Sequence, residues 1–176
     1  MRGMCYLHGF VERRGGVNET ERYIACIASE PTPIEEEAAF RMAWSYLDGL
    51  GGAARVYYYS KYERTAWKKL AARYPSVCSV DEVETLFSKS WMIDLLYDVV
   101  LKTEWPTNNR SIKTLAKYLG FKWRDSNPSG AASIEWYDQW VQSGSSEVRQ
   151  RILDYNEDDC RATRVLLDGL RAIVKN

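Results

Sequence analysis

The chain has 176 residues, 45% hydrophobic and 27% charged, with a formal net charge of zero. This is room for one domain with a sizeable core, and the balance is ordinary for a soluble globular protein. No apolar run reaches membrane-spanning length and Met1-Arg2-Gly3-Met4-Cys5 is not a signal peptide, while zero net charge excludes a global basic field that would draw in nucleic acid, though not a local grip on a strand.

Residues 4–12 and 22–28 read as strands joined into a hairpin by the polar stretch from Arg13 to Glu21. His8, the single histidine, lies in the first of them and reads as structural. Thr32-Pro33-Ile34-Glu35 announces a helix with a capping box, running to about Asp48 and stopping at Gly49. A short aromatic strand over 55–59 precedes a helix from Lys61 to about Arg73. Ser79 caps a helix through Phe87, Trp91-Met92-Ile93 is extended, and Asp94 caps the helix after it.

Ser111 begins an amphipathic helix with Ile112, Leu115, Tyr118 and Leu119 inward and Gly120 as its stop. The polar loop 124–130 is the segment best suited to be mobile. Ser133 caps a helix carrying Trp136 and Trp140, and Ser146 opens the last helical region. Cys5, Cys26, Cys78 and Cys160 are far apart and form no Cys-x-x-Cys pair. They suit reduced core thiols in the cytoplasm better than a structural zinc or iron–sulfur site.

The sharpest signal lies near the C-terminus. A helical stripe taken in steps of three and four reads Ile152, Tyr155, Asp159, Ala162 or Thr163, Leu166, Leu170, Ile173. Only Asp159 breaks it, and a carboxylate facing a core is costly unless it is paired or binds a cation. Glu157 and Asp158 crowd the same turn and add negative field. The competing reading starts a new helix at Asn156, which makes Asp154, Glu157 and Asp158 ordinary first-turn acids.

Tyr-Asn-Glu-Asp-Asp-Cys-x-Ala-Thr over 155–163 resembles the third motif of the DEDDy 3′–5′ exonuclease superfamily, and most of all the ribonuclease-H-like module of predicted bacterial RecB-family nucleases. Weaker patterns extend the resemblance along nearly the full length: Tyr-Tyr-Ser-Lys-Tyr-Glu (58–63), Ile-Asp-Leu-Leu (93–96), Ser-Ile-Lys-x-Leu (111–115) and Gly-Ala-Ala-Ser-Ile (130–134). It implies an α/β ribonuclease-H-like fold, a small mixed sheet flanked by helices with a helix-rich C-terminal half. It also implies a metal-dependent hydrolase that cuts phosphodiester bonds of single-stranded DNA or RNA from the 3′ end with a Mg²⁺ or Mn²⁺ pair.

By resemblance Asp159 is a metal ligand, Tyr155 orients the attacking water, and Glu63 is a second ligand. Residues 60–63 also read as a capping box, the competing explanation of Glu63. Asp94 reads as a helix cap or as support for the site, and Asp158 as support. Lys61, Arg64 and Lys68 on one helix, and Lys113 and Lys117 on another, with Lys122 and Arg124 close behind, suit phosphate contacts or plain solvation. The aromatic residues suit base stacking or packing.

The family's first motif, Asp-x-Glu on a strand before the hairpin, has no counterpart in this sequence. The expectation is therefore a domain over 1–176 without its first strand. That strand could come from an upstream nuclease or helicase part of a longer parent, or from another copy. The alternative is a catalytically inactive module that binds nucleic acid or docks on a partner.

Overall fold

The computed structural model describes residues 4–127 and 129–174. Strands β1 (Leu7–Glu12) and β2 (Arg22–Ile27) form an antiparallel hairpin, with Leu7 opposite Ile27 and Glu12 opposite Arg22. Gly15 and Gly16 both take positive φ at its turn, where a side chain would be strained. The two faces of β1 meet different helices. His8 and Phe10 meet Phe40 and Tyr46 of α1 (Pro33–Gly49), and burial pushes the His8 imidazole down to about 4, so it packs as a neutral ring.

Thr32 caps α1 by accepting the Glu35 amide at 3.3 Å. The reciprocal half of the expected box does not form. The Thr32 amide already donates to the Glu30 carbonyl at 2.8 Å, so the Glu35 carboxylate turns instead to the Ser29 hydroxyl at 2.6 Å. The neighbouring Glu36 is buried and accepts from the Cys5 amide, Arg73 and the Tyr74 hydroxyl, each at 2.6 Å. It ties the start of the chain to the end of α2.

Strand β3 (Val56–Tyr58) runs parallel to β4 (Met92–Asp94). Between them lie α2 (Tyr62–Arg73) and α3 (Val80–Phe87), the latter opened by a complete Ser79–Glu82 capping box. After β4 come α4 (Leu95–Asp98), α5 (Ile112–Tyr118), α6 (Gly130–Ser143) and α7 (Ser146–Val174).

Alternation sorts each sheet between two apolar layers. Phe10, Val56 and Tyr58 join one cluster with Phe40, Trp67, Leu70 and Phe87 from α1, α2 and α3. Tyr57, Tyr59 and Ile93 face Leu115, Leu166 and Leu170 from α5 and α7. The result is a mixed α/β layer flanked by helices. Among the described residues, however, the sheet is divided in two, since no ladder joins the hairpin to the β3–β4 pair. α7 packs against both β1 and β3. The Leu7, Gly9 and Val11 backbone points away from β2, because the Ala28 amide bonds the Tyr6 carbonyl and fixes which residues face the partner strand.

Two elements differ from their sequence pattern. Tyr118 points out of α5, 56% exposed, and Ala116 takes the buried position; a two-turn helix offers too narrow a stripe for both. Ser133 does not cap α6, since Ser129 accepts the Ala132 amide there and Ser133 sits one turn inside, buried, with its hydroxyl on the Tyr6 hydroxyl.

Candidate active site

α7 is one unbroken helix of 29 residues, which removes the reading that Asn156 starts a new helix with first-turn acids. Ile152, Tyr155, Ala162, Leu166 and Leu170 are buried along it, and the stripe ends before Ile173, which is 61% exposed. Its register on the sheet is set at Gly9. A Cβ there would lie 1.7 Å from Asn156 Oδ1, which accepts the Tyr23 hydroxyl at 2.8 Å. Only glycine lets the helix come this close.

That docking presents Tyr155 and Asp159 on one face. Trp123 Nε1 donates to Asp159 Oδ1 at 2.8 Å, and Lys113 Nζ donates to the Tyr155 hydroxyl at 3.1 Å, lying 5.2 Å from its ring centre. Trp136 meets that ring edge-on at 5.9 Å. A lysine can only donate, so the Tyr155 oxygen accepts from Lys113. Burial holds the Asp159 carboxyl above its ordinary value, with the Trp123 and Tyr155 hydrogen bonds and the Lys113 charge opposing. Burial, then the Asp159 charge, push the Tyr155 phenol well above the usual tyrosine range.

The neighbouring acids do not add an open negative field. Arg124 answers all three: its amide and Nε bond Asp158 at 2.7 and 2.9 Å, Nη1 bonds Asp154 at 3.1 Å, and Nη2 bonds Glu157 at 2.7 Å. Asp158, 3% exposed, is the most buried of them. Asp125 continues the seam, accepting Arg151 Nε at 2.6 Å. The start of the 124–130 loop is thus pinned to α7 rather than mobile, and Arg124 is held by carboxylates rather than offered to phosphate; Pro128 lies outside the described residues.

Glu63 stands in the first turn of α2. The expected Ser60–Glu63 capping box is absent: Lys61 is the N-cap without a side-chain bond, and Ser60 takes φ 75°. Asp94 holds that conformation, accepting the Ser60 amide at 2.9 Å while capping α4 through the Leu96 and Tyr97 amides. Glu63 Oε2 is buried without a hydrogen-bond partner, and burial pushes the carboxyl up to about 7. The Cys160 thiol is raised first by burial and then by the Asp159 and Glu63 charges. Burial keeps that thiol far from ionising, so Cys160 is no nucleophile.

Residues 1–171 match the RNase_H superfamily. The chain belongs to that superfamily. No curated protein and no solved structure matches it. Nucleases of the RNase_H superfamily generally use divalent metals.

In this RNase H-like chain the basic residues separate into groups that spacing alone did not distinguish. Arg64 and Lys68 both pair with Glu84 of α3, and Lys61 lies 4.6 Å from the Tyr97 ring centre. Lys113 is at Tyr155, and Lys117 lines a cleft with Lys122 and Trp123. Among the described residues no three His, Cys, Asp or Glu side chains converge as a metal-holding group. Sequence reasoning missed Trp123 and the Gly9–Asn156 approach. The available signal for Trp123 is a large aromatic residue in a charged segment, Lys122-Trp123-Arg124-Asp125, where no amphipathic helix accounts for it.

Proposed function

We propose that this RNase H-like chain is the core of a metal-dependent nuclease acting on single-stranded DNA or RNA, with the DEDDy 3′–5′ exonuclease arrangement of RecB-family modules. The observation that carries this reading is the Tyr155–Asp159 pair on one face of α7 with Lys113 on the phenol oxygen. A packing helix has no use for that group.

The donors fit a hard divalent cation in kind. Glu63 Oε2 is a buried oxygen lacking a partner, and the Asp159 carboxyl is raised by burial, so each would be relieved by a positive ion. Glu63 and Asp159 would hold Mg²⁺ or Mn²⁺, which when bound lowers the pKa of a water and stabilises the leaving oxygen. Tyr155 stays protonated across the working pH range, so its hydroxyl can hold a water in line with the phosphorus. Lys113 fixes the phenol and supplies positive charge to the phosphate. Trp123 keeps the Asp159 carboxylate in one rotamer.

Two carboxylates are too few for a pair of divalent ions. Further acids on a strand entering between β1 and β3, from another segment of a longer parent or from a second copy, would complete the set. The second reading, a module that binds nucleic acid or docks on a partner without cutting, draws on the same observation: no three-ligand group converges among the described residues.

The deciding experiment is digestion of 5′-labelled single-stranded DNA with Mn²⁺, comparing the chain with Asp159→Asn. A metal-dependent ladder shortening from the 3′ end and absent in the variant supports the enzyme. A folded protein that leaves the DNA intact supports the binding module.

A further inference from the structure

A cleft of about 340 Å³ opens beside Asp159, lined by Lys117, Phe121, Lys122, Trp123, Asp125 and Ser126. Its size falls in the low range of ligand pockets, roughly 300–1,000 Å³. Three features of its wall point to one kind of ligand. Lys117 and Lys122 are exposed at its rim, and among the described residues neither has an acidic partner. The other cations near the candidate site are spent differently, Arg64 and Lys68 on Glu84 and Arg124 on Asp154, Glu157 and Asp158.

The second feature is aromatic. Phe121 is only partly buried, lines the cleft, and stands at a steep angle to the Trp123 ring, 4.9 Å between centres. The third is position. Trp123 forms part of the wall and donates its indole N–H to Asp159 at 2.8 Å, so whatever fills the cleft lies one side chain from the candidate ligand. The wall is also stiff, because Asp125 is held by Arg151 at 2.6 Å and Arg124 by the α7 carboxylates.

We propose that this cleft is a nucleotide subsite for single-stranded nucleic acid, Phe121 stacking a base and Lys117 and Lys122 contacting the flanking phosphates. The subsite rests on the nuclease reading for its context, but binding is measured without cleavage and therefore fails separately. Cations without an acidic partner neutralise phosphates without first giving up an ion pair. Stacking on a ring tolerates any base, which suits a site with no base-reading motif.

The test is fluorescence anisotropy of a labelled 12-nucleotide oligo-dT with the Asp159→Asn protein in EDTA, so that no strand is cut, over a series of salt concentrations. Phe121→Ala is expected to weaken binding roughly tenfold and Phe121→Trp to restore it. Lys117→Ala with Lys122→Ala is expected to weaken binding and lower the salt slope by about 1.4, two phosphate contacts on a single strand. The lysine variants change only exposed side chains, so they report even where Phe121→Ala misfolds, and circular dichroism checks each. An oligo-U of equal length separates DNA from RNA preference. Binding that is unchanged in both variant sets, or absent in the parent protein for both oligonucleotides, overturns the subsite. Mn²⁺-dependent cleavage by the unsubstituted chain, measured apart, decides the nuclease reading.

Discussion

The Trp123 indole N–H donates to Asp159 Oδ1 at 2.8 Å, joining a loop to the middle of a helix 36 residues away. A half-buried carboxylate keeps its charge only with such donors. Trp123→Phe removes the donor together with three buried ring atoms, so a small void adds to the loss. It is expected to cost about 1–3 kcal/mol and to raise the Asp159 carboxyl further, since this bond is the largest influence holding it down. Urea unfolding of the variant, alone and in an Asp159→Leu background that offers the indole no acceptor, checks this. Equal losses in both backgrounds would show that the indole serves packing and not the carboxylate.

Arg124 holds Asp154, Glu157 and Asp158 at once, with Asp158 almost wholly buried. Arg124→Ala strands a buried negative charge, which costs about 3 kcal/mol or more; the guanidinium is 44% exposed, so the lower end applies. Arg124→Lys is expected to recover only a small part, because an ammonium cannot reach three carboxylates from a planar fork. Thermal unfolding of both variants measures it, and full recovery by lysine would mean that charge alone suffices.

How much of this was legible in the sequence depends on whether the signal was local. The Thr32–Pro33 helix start, the Ser79 cap and the Tyr155–Asp159 face are local in sequence, and the structure has each of them in place. Partners distant in sequence were not legible. Nothing in the spacing of Asp158 names Arg124, and nothing near Glu63 shows that Ser60 is claimed by Asp94. The same holds for Arg64 and Lys68, whose shared acid Glu84 lies on the next helix. Gly9 reads locally as a weak strand residue, and its reason appears only when α7 is laid across it.

Glu63 gives a pH signature. Burial raises its carboxyl from 4.5 to about 7, so between these values the folded chain holds a proton the unfolded chain has lost. Stability from this group is therefore full below about pH 4.5, falls as pH rises toward 7, and stays lower by roughly 3 kcal/mol above it. His8, pushed from 6.5 down to about 4, runs the opposite way and partly masks the slope. Comparison with Glu63→Gln isolates the effect: near-equal stability at pH 4.5, and a more stable variant at pH 8. Mn²⁺ is expected to stabilise the unsubstituted chain at pH 8 and not the variant. A variant less stable than its parent at pH 8 would mean that ionised Glu63 has a partner in the fold.

Gly9 and Asn156 together fix where α7 sits, and so where Tyr155 and Asp159 point. Gly9→Ala places a methyl where Asn156 Oδ1 now stands, 1.7 Å away. Either the amide rotates and abandons the Tyr23 hydroxyl, or the helix moves off the strand. The expected cost is about 1–3 kcal/mol, as for an overpacked core. Asn156→Ala alone loses one hydrogen bond from Tyr23, about 1 kcal/mol. In the double variant the Asn156 amide is gone and the methyl meets only the Tyr23 ring edge, 3.1 Å away, so its loss is expected to fall short of the sum by about 1 kcal/mol or more. Near-ultraviolet circular dichroism follows the Trp136–Tyr155 contact, 5.9 Å between ring centres, and should change in Gly9→Ala and return in the double variant. Strictly additive losses with an unchanged spectrum would place the register of α7 elsewhere, with the apolar stripe from Ile152 to Leu170 holding it unaided.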